Sequence, residues 1–210
     1  MTSRLGHLTF KSDDEAIEFA EIFLKDRIKS LKYDVKRCLK KDSKGYSPFP
    51  ALMYCLSVVD LMGSLLSGEV NKGSTTKNST KYAIKYMKCY PSVAKVIWQQ
   101  FRHKMFHLAM PNTGFKFRRK IVTWNLHDSD PKNHLMVIPP SRKIIDIGKE
   151  IGKGEGSISV KGEFVINIKS LEESIESSIF GSNGYIVDLK SKPRLIKKFK
   201  KAINEIYEVK

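Results

Sequence analysis

The chain has 210 residues, 41% of them hydrophobic, which is enough for one substantial domain or two small ones. Neither a membrane-spanning apolar run nor a secretory signal is predicted, and three widely spaced cysteines argue against a disulfide framework or a zinc knuckle. We therefore expect a cytoplasmic protein with no membrane partner, metal or other cofactor. The net charge of +16 favours a polyanionic partner such as nucleic acid.

Two long helices are predicted in the first third of the chain. From Asp13 to about Leu39 apolar residues recur at three- and four-residue spacing, and Ser12 can cap the start. An apolar helix follows from about Phe49 to Leu66, with Asp60 as its only charge. A lone carboxylate there usually faces solvent or makes one structural hydrogen bond, but it could also orient a neighbouring helix or a catalytic group.

A strongly basic segment follows a polar connector. No acidic residue lies between Glu69 and Asp128, whereas the basic residues there are Lys72, Lys77, Lys81, Lys85, Lys88, Lys95, Arg102, Lys104, Lys116, Arg118, Arg119 and Lys120. The predicted nucleic-acid-binding residues among these are Lys77, Lys81, Lys85, Lys88, Lys104, Arg118 and Arg119. The four lysines from Lys77 to Lys88 recur at helical spacing. Interleaved tyrosines, Tyr82, Tyr86 and Tyr90, are either core residues or platforms for base stacking.

The next helix is expected to begin after Pro91, with Ser92 as its cap, and to run to about Met110. Its core face is a stripe at helical spacing, formed by Val93, Ile97, Phe101, Met105 and Leu108. The polar residues Arg102, His103 and His107 then lie on the flanks of that stripe, where a partner or substrate could reach them.

The C-terminal half changes to strand-like patterns. In the segment "FKFRRKIVTWNLH" apolar and polar residues alternate as in a strand, and "HLMVIPP" and "GEFVINI" look like two more strands. The glycine-rich segment between these two is predicted to be a hairpin turn rather than a phosphate loop. Helices are expected from about Leu171 to Phe180 and from about Pro193 to Val209. The predicted class is α+β, mainly α, with a helical bundle over 1–115 and a small antiparallel sheet plus two helices over 116–210.

Arg102 and His107 form an Arg-x4-His motif, with the polar His103 directly after the arginine. Together with the preceding apolar helix and connector, this motif near a helix end resembles the signature of the HEPN superfamily across about residues 13 to 115. The resemblance implies a helical bundle and, in many members, metal-independent endoribonuclease activity in toxins or antiviral defence effectors. Other members only bind nucleotides or partners.

The chemistry of RNA cleavage suits these residue types. Attack by the RNA's own 2′-hydroxyl needs an acid/base group that titrates near neutral pH and a cation for the charge on the phosphoryl oxygens. His107 is the predicted acid/base, Arg102 the phosphate clamp, and His103 a secondary polar contact or second proton-transfer group. Five residues on an ideal helix rotate the side chain by about 140°, so Arg102 and His107 do not share a face. The resemblance implies two motif helices meeting in a dimer, and we therefore predict a homodimer with a composite site.

Other interpretations stay open at this point. Arg102 and His107 could simply bond structural partners, and the chain could be a non-catalytic nucleic-acid or nucleotide-binding module. A scaffold that docks an acidic protein, such as an antitoxin, is a third possibility. The four-residue spacing of His103 and His107 is that of helical zinc ligands, but two ligands in a basic, acid-free segment are too few for a metal site.

Overall fold

The N-terminal part of the fold is helical, as predicted. In a computed structural model, residues 8–41, 46–70, 75–104, 113–128, 131–146 and 156–207 are described. The first three helices are α1 (Asp13–Cys38), α2 (Pro48–Ser67) and α3 (Thr75–Lys85). The side chain of Ser12 accepts a hydrogen bond from the Glu15 backbone N–H at 3.0 Å, which confirms the predicted cap of α1.

The motif helix changes its winding along its length. Helix α4 (Pro91–Val96) runs directly into a π-helical segment (Ile97–His103), in which hydrogen bonds join residues five apart. The expected cap at Ser92 is wrong: Tyr90 occupies the cap position, and Pro91 takes the first helical position, where its missing N–H costs nothing. The predicted stripe is buried at Val93, Ile97 and Phe101. Its other members, Met105 and Leu108, lie outside the described residues, as does His107.

A mixed sheet follows the helices. Its strands are β1 (Phe115–Phe117), β2 (Lys120–His127), β3 (Met136–Ile138) and β6 (Gly162–Asn167), in the order β1-β2-β6-β3. The expectation of a wholly antiparallel sheet is wrong, because β2 and β6 pair in parallel. Strand β6 is buried along its whole length, as interior strands of parallel pairs are.

Two details of the strand prediction also change. The segment expected to be one strand is a hairpin, because Arg118 and Arg119 form a turn between Phe117 and its partner Lys120. A separate pair, β4 (Ile144–Asp146) and β5 (Ser157–Ser159), runs antiparallel on either side of the glycine-rich segment. That pairing agrees with the predicted hairpin, although the turn itself, 147–155, lies outside the described residues.

Three helices complete the fold: α5 (Ile168–Phe180), α6 (Tyr185–Ser191) and α7 (Pro193–Tyr207). The first and last were predicted, whereas α6, only two turns long, was not. Helix α2 contacts α1, α3, α5 and α7, so residues from both halves of the chain share one hydrophobic core around it.

Helix α2 is long and apolar enough, with a mean hydropathy of 1.7, to cross a membrane by length and composition alone. Central helices of soluble proteins pass the same test, and α2 is packed on several sides by other helices. The described residues form an α+β fold, mainly α, as the sequence predicted.

Candidate functional site

A buried carboxylate on α2 joins three elements next to the predicted motif. Asp60 is only 9% exposed. Its Oδ1 accepts hydrogen bonds from Ser79 Oγ on α3 at 2.6 Å and from Trp98 Nε1 at 2.9 Å, and its Oδ2 accepts from Arg102 Nε at 2.8 Å. We call these four residues the Asp60 cluster. The lone charge of α2 therefore orients both a neighbouring helix and the motif arginine, the less usual of the roles considered for it.

A glycine one turn further along α2 lets α3 approach closely enough to complete the cluster. A Cβ atom at Gly63 would lie 2.6 Å from the Ser79 backbone N and 2.7 Å from the Asn78 carbonyl carbon. Cβ atoms essentially never approach non-bonded heavy atoms this closely, so only glycine fits without moving α3. The close approach brings the Ser79 hydroxyl within hydrogen-bonding distance of Asp60.

The π-helical segment places the other two donors of the cluster. Trp98 and Arg102 are four residues apart and both reach the same carboxylate. The Trp98 ring is fully buried, whereas the Arg102 side chain is 28% exposed and so extends from the core to the surface. Because the bond to Asp60 uses Nε, it fixes the plane of the guanidinium group at the edge of the fold.

The remaining motif residues lie beside this arginine. His103 directly follows Arg102 and is exposed, while Lys104 is half-buried at the end of the π-helical segment. His107, the predicted acid/base, is outside the described residues, so the relation between Arg102 and His107 stays a prediction.

The predicted row of lysines does not form one surface. Lys77 and Lys81 are exposed on α3 and line a cavity of about 340 Å³ together with Lys198. Lys85 ends α3 and instead donates to Asp188 at 2.7 Å. Lys88 lies beyond the helix, with a positive φ of 58°. The helical spacing of the lysines continues past the end of α3, so Lys88 does not belong to the helical row, and its predicted contact with nucleic acid stays a prediction.

Asp188 holds Lys85 within a small network of hydrogen bonds. It also accepts from the Tyr86 hydroxyl at 2.8 Å and from Lys192 at 2.6 Å. Burial by itself would raise the pKa of Asp188, but the hydrogen bonds from Lys192, Lys85 and Tyr86 outweigh it and hold that pKa well below its usual range. The charge of Lys85 is therefore matched inside the protein.

The three interleaved tyrosines divide between the two roles left open for them. Tyr82 and Tyr86 are buried, and the Tyr82 hydroxyl shares a hydrogen bond with Ser178 at 2.8 Å. Tyr90, in contrast, is 71% exposed. The first two are core residues, and only Tyr90 presents a ring to solvent.

Nothing in the described part of the chain forms a metal-binding group of three or more His, Cys, Asp or Glu side chains. The three cysteines are free, and burial raises the pKa of Cys89 to about 11, which keeps it a neutral thiol at physiological pH. No family model matches the chain, and neither a curated protein nor a solved structure matches it.

Sequence reasoning missed three residues that build the site, namely Gly63, Ser79 and Trp98. One signal was present for Trp98, which stands four residues before the motif arginine and so on the same side of a helix. The contribution of Ser79 depends on the packing of α3 against Gly63, and spacing along the chain carries no information on that contact.

Proposed function

We propose that this chain is a metal-independent endoribonuclease of HEPN type. It cleaves RNA by attack of the 2′-hydroxyl on the adjacent phosphate and leaves a 2′,3′-cyclic phosphate. The single observation that carries the proposal is the partly buried bond from Arg102 to Asp60, which holds a guanidinium group at the surface within an Arg-x4-His motif.

In this reaction Arg102 contacts the non-bridging oxygens of the scissile phosphate and stabilises the charge that they gain in the transition state. Asp60 is a positioning residue, since it holds the guanidinium group and does not touch RNA. His107 removes the proton of the 2′-hydroxyl or returns one to the leaving 5′-oxygen. His103 contributes a polar contact or the second proton transfer. The exposed lysines Lys77 and Lys81 attract the RNA backbone.

The proposed active form is a homodimer in which two motif helices meet. The HEPN resemblance implies such a dimer, in which a second copy supplies His107 from the opposite side. The rotation of about 140° on an ideal helix does not apply to this pair, because Arg102 lies in the π-helical segment. In that arrangement Arg102 of one copy and His107 of the other act on the same phosphate.

The test is cleavage of single-stranded and structured RNAs by the purified chain in EDTA. Fragments with 2′,3′-cyclic phosphate ends are expected from the wild type and not from His107→Ala. His127→Ala is the matched control, because it removes a histidine of β2 that lies outside the motif. Thermal melting checks that each variant is folded. An inert wild type across a broad RNA panel, or equal cleavage by His107→Ala, would refute the proposal.

The Asp60 bond also favours a second candidate function, in which Arg102 is a purely structural residue. The chain would then be a non-catalytic RNA- or nucleotide-binding module that uses the basic surface alone. Binding in that case weakens steeply with salt, survives His107→Ala and falls when Lys77 and Lys81 are changed to Glu. RNA binding without cleavage is the result that selects this candidate.

We also propose a toxin or antiviral defence role in the cytoplasm, which the HEPN resemblance implies. An acidic antitoxin is the partner whose charge would match the basic surface. Purification of the chain with such a protein bound, and loss of cleavage in that complex, would support this role.

A further inference from the structure

A cleft lies between the start of α4 and the sheet. Two cavities, of about 390 and 220 Å³, share Tyr90, Val93 and Leu135 in their walls. We call them together the Tyr90 cleft. The larger cavity falls within the size range of about 300–1,000 Å³ typical of ligand pockets.

The exposed ring of Tyr90 stands at this cleft on a restrained backbone. A residue before proline is confined to extended conformations, and Tyr90 has φ −62° and ψ 141°. Its carbonyl also accepts the Ala94 N–H at 3.0 Å. Tyr90 is 71% exposed, so its ring is open to stacking of an unpaired base.

The charge of the cleft has one sign. Among the described residues that line it, Lys88, Arg118 and Lys120 are basic and none is acidic. Two other cavities among the described residues differ: the one at Lys77 and Lys81 includes Glu69, and the one between α1 and α5 includes Glu172 and Glu173. The Tyr90 cleft therefore favours an anionic ligand more clearly than either of them.

Unfavourable backbone conformations concentrate at the same place. Within the described ranges, the non-glycine residues with positive φ are Lys88, Arg118, Arg119 and Leu135, and all but Arg119 line the cleft. Arg118 and Arg119 form a two-residue hairpin turn with positive φ at both positions, for which Asn-Gly is the favoured sequence. Two arginines in such a turn are better explained by what their side chains bind than by the turn itself.

A neutral donor stands in the wall of the smaller cavity. His134 Nδ1 accepts the Asn167 backbone N–H at 3.2 Å, so the proton of the neutral ring is on Nε2. That buried Nε2 has no hydrogen-bond partner among the described residues. Burial, with a smaller contribution from His127, lowers the pKa of His134 to about 4, so the ring is neutral at pH 7. The ring therefore adds no charge to the cleft at pH 7.

We infer that the Tyr90 cleft binds one unpaired nucleotide of single-stranded RNA, with its base stacked on Tyr90 and its phosphate held by Arg118 and Lys120. This inference rests on the proposed action on RNA and adds a second contact to it. Val93 in the cleft and Arg102 lie on one continuous helix, which is α-helical up to Val96 and π-helical beyond it. The cleft would thus anchor the strand a few nucleotides from the phosphate that is cut.

The test is fluorescence anisotropy of a labelled single-stranded oligouridine with the full chain at one salt concentration. Tyr90→Ala should weaken binding about 5-fold or more, and Tyr90→Phe, which keeps the stacking face, should bind as the wild type does. Tyr54→Ala is the matched control, because Tyr54 is also exposed but does not line the cleft. Duplex RNA, whose bases cannot stack on the ring, should show no dependence on Tyr90.

A second variant changes binding and stability in opposite directions. Replacing Arg118 by Asn and Arg119 by Gly should raise the melting temperature, because the turn gains its favoured sequence, and should lower RNA affinity. Equal binding by the wild type, Tyr90→Ala and this turn variant overturns the inference while leaving the proposed cleavage intact. Tyr90-dependent binding without any cleavage overturns the proposed activity but supports the cleft. A wild type that binds no RNA overturns both.

Discussion

Removing the carboxylate of Asp60 tests whether the cluster holds the motif helix in place. Asp60→Ala leaves the Arg102 guanidinium, the Trp98 N–H and the Ser79 hydroxyl without their common acceptor. An unsatisfied buried donor such as the Trp98 N–H costs about 1–3 kcal/mol, and a lost charge-assisted bond such as that of the partly exposed Arg102 costs about 1.5–3 kcal/mol, so we expect a total of about 3–5 kcal/mol. For a domain of this size each kcal/mol lowers the melting temperature by roughly 2–4 °C, so a decrease of about 6–20 °C is expected.

Asp60→Asn separates the charge from the hydrogen bonds. The amide oxygen can still accept from Ser79 and Trp98, while the amide N–H₂ faces the Arg102 Nε–H and repels it, so we expect a smaller loss of about 1.5–3 kcal/mol. Urea denaturation followed by circular dichroism measures both variants. The control is Asp26→Ala, an exposed α1 carboxylate paired only with the neighbouring Arg27, which should change stability by no more than about 0.5 kcal/mol. If Asp60→Ala costs less than about 1 kcal/mol, the cluster does not position Arg102.

Three further changes test other parts of the structure. Gly63→Ala should destabilise the fold by about 1–3 kcal/mol in urea denaturation, because the methyl group of the alanine would push α3 away. An unchanged midpoint of the urea transition would show that α3 is not tightly packed at this position. Lys81→Gln should reduce the slope of log K against log salt for single-stranded RNA binding by about 0.7. Lys85→Gln should leave that slope unchanged, because Lys85 is paired with Asp188. Equal slopes for the two variants would contradict this difference. The stabilisation from Asp188 is fully present above the unfolded pKa of about 3.9 and is lost as pH falls toward its lower folded pKa. Asp188→Asn should therefore weaken the acid dependence of the melting temperature below about pH 4. A pH profile identical to that of the wild type would refute this role of Asp188.

Much of the helical framework could be predicted because its signals are local. The apolar spacing and the Ser12 cap placed α1 and α2 within a few residues of their observed bounds, and Pro91 marked the start of α4. The end of α4 was not predicted, because the change to π-helical winding after Val96 has no signal in the residue spacing. The strand order was not predictable in the same way, because the parallel pairing of β2 with β6 joins segments that are distant in sequence. The two-arginine turn was missed for another reason, since its sequence is one that such turns disfavour.

The sequence singled out Arg102 but not the contacts that hold it, and the chemistry assigned to it stays a prediction. The types and spacing of Arg102 and His107 indicated phosphate chemistry, and the lone charge of α2 marked Asp60 as unusual. The contact between them depends on how two helices pack, and residue spacing does not encode that packing. The same limit applied to Lys85, whose partner Asp188 lies in α6, a helix that was not predicted.

Mixing two inactive variants tests the central claim most directly. Arg102→Ala and His107→Ala are each purified, mixed in equal amounts under conditions that let subunits exchange, and assayed for RNA cleavage in EDTA. If Arg102 of one copy and His107 of the other form each site, half of the dimers are mixed and each carries one intact site, so about a quarter of the wild-type activity should return. An active wild type with no recovery in the mixture would contradict a site shared between copies, and an inactive wild type would contradict the enzyme itself.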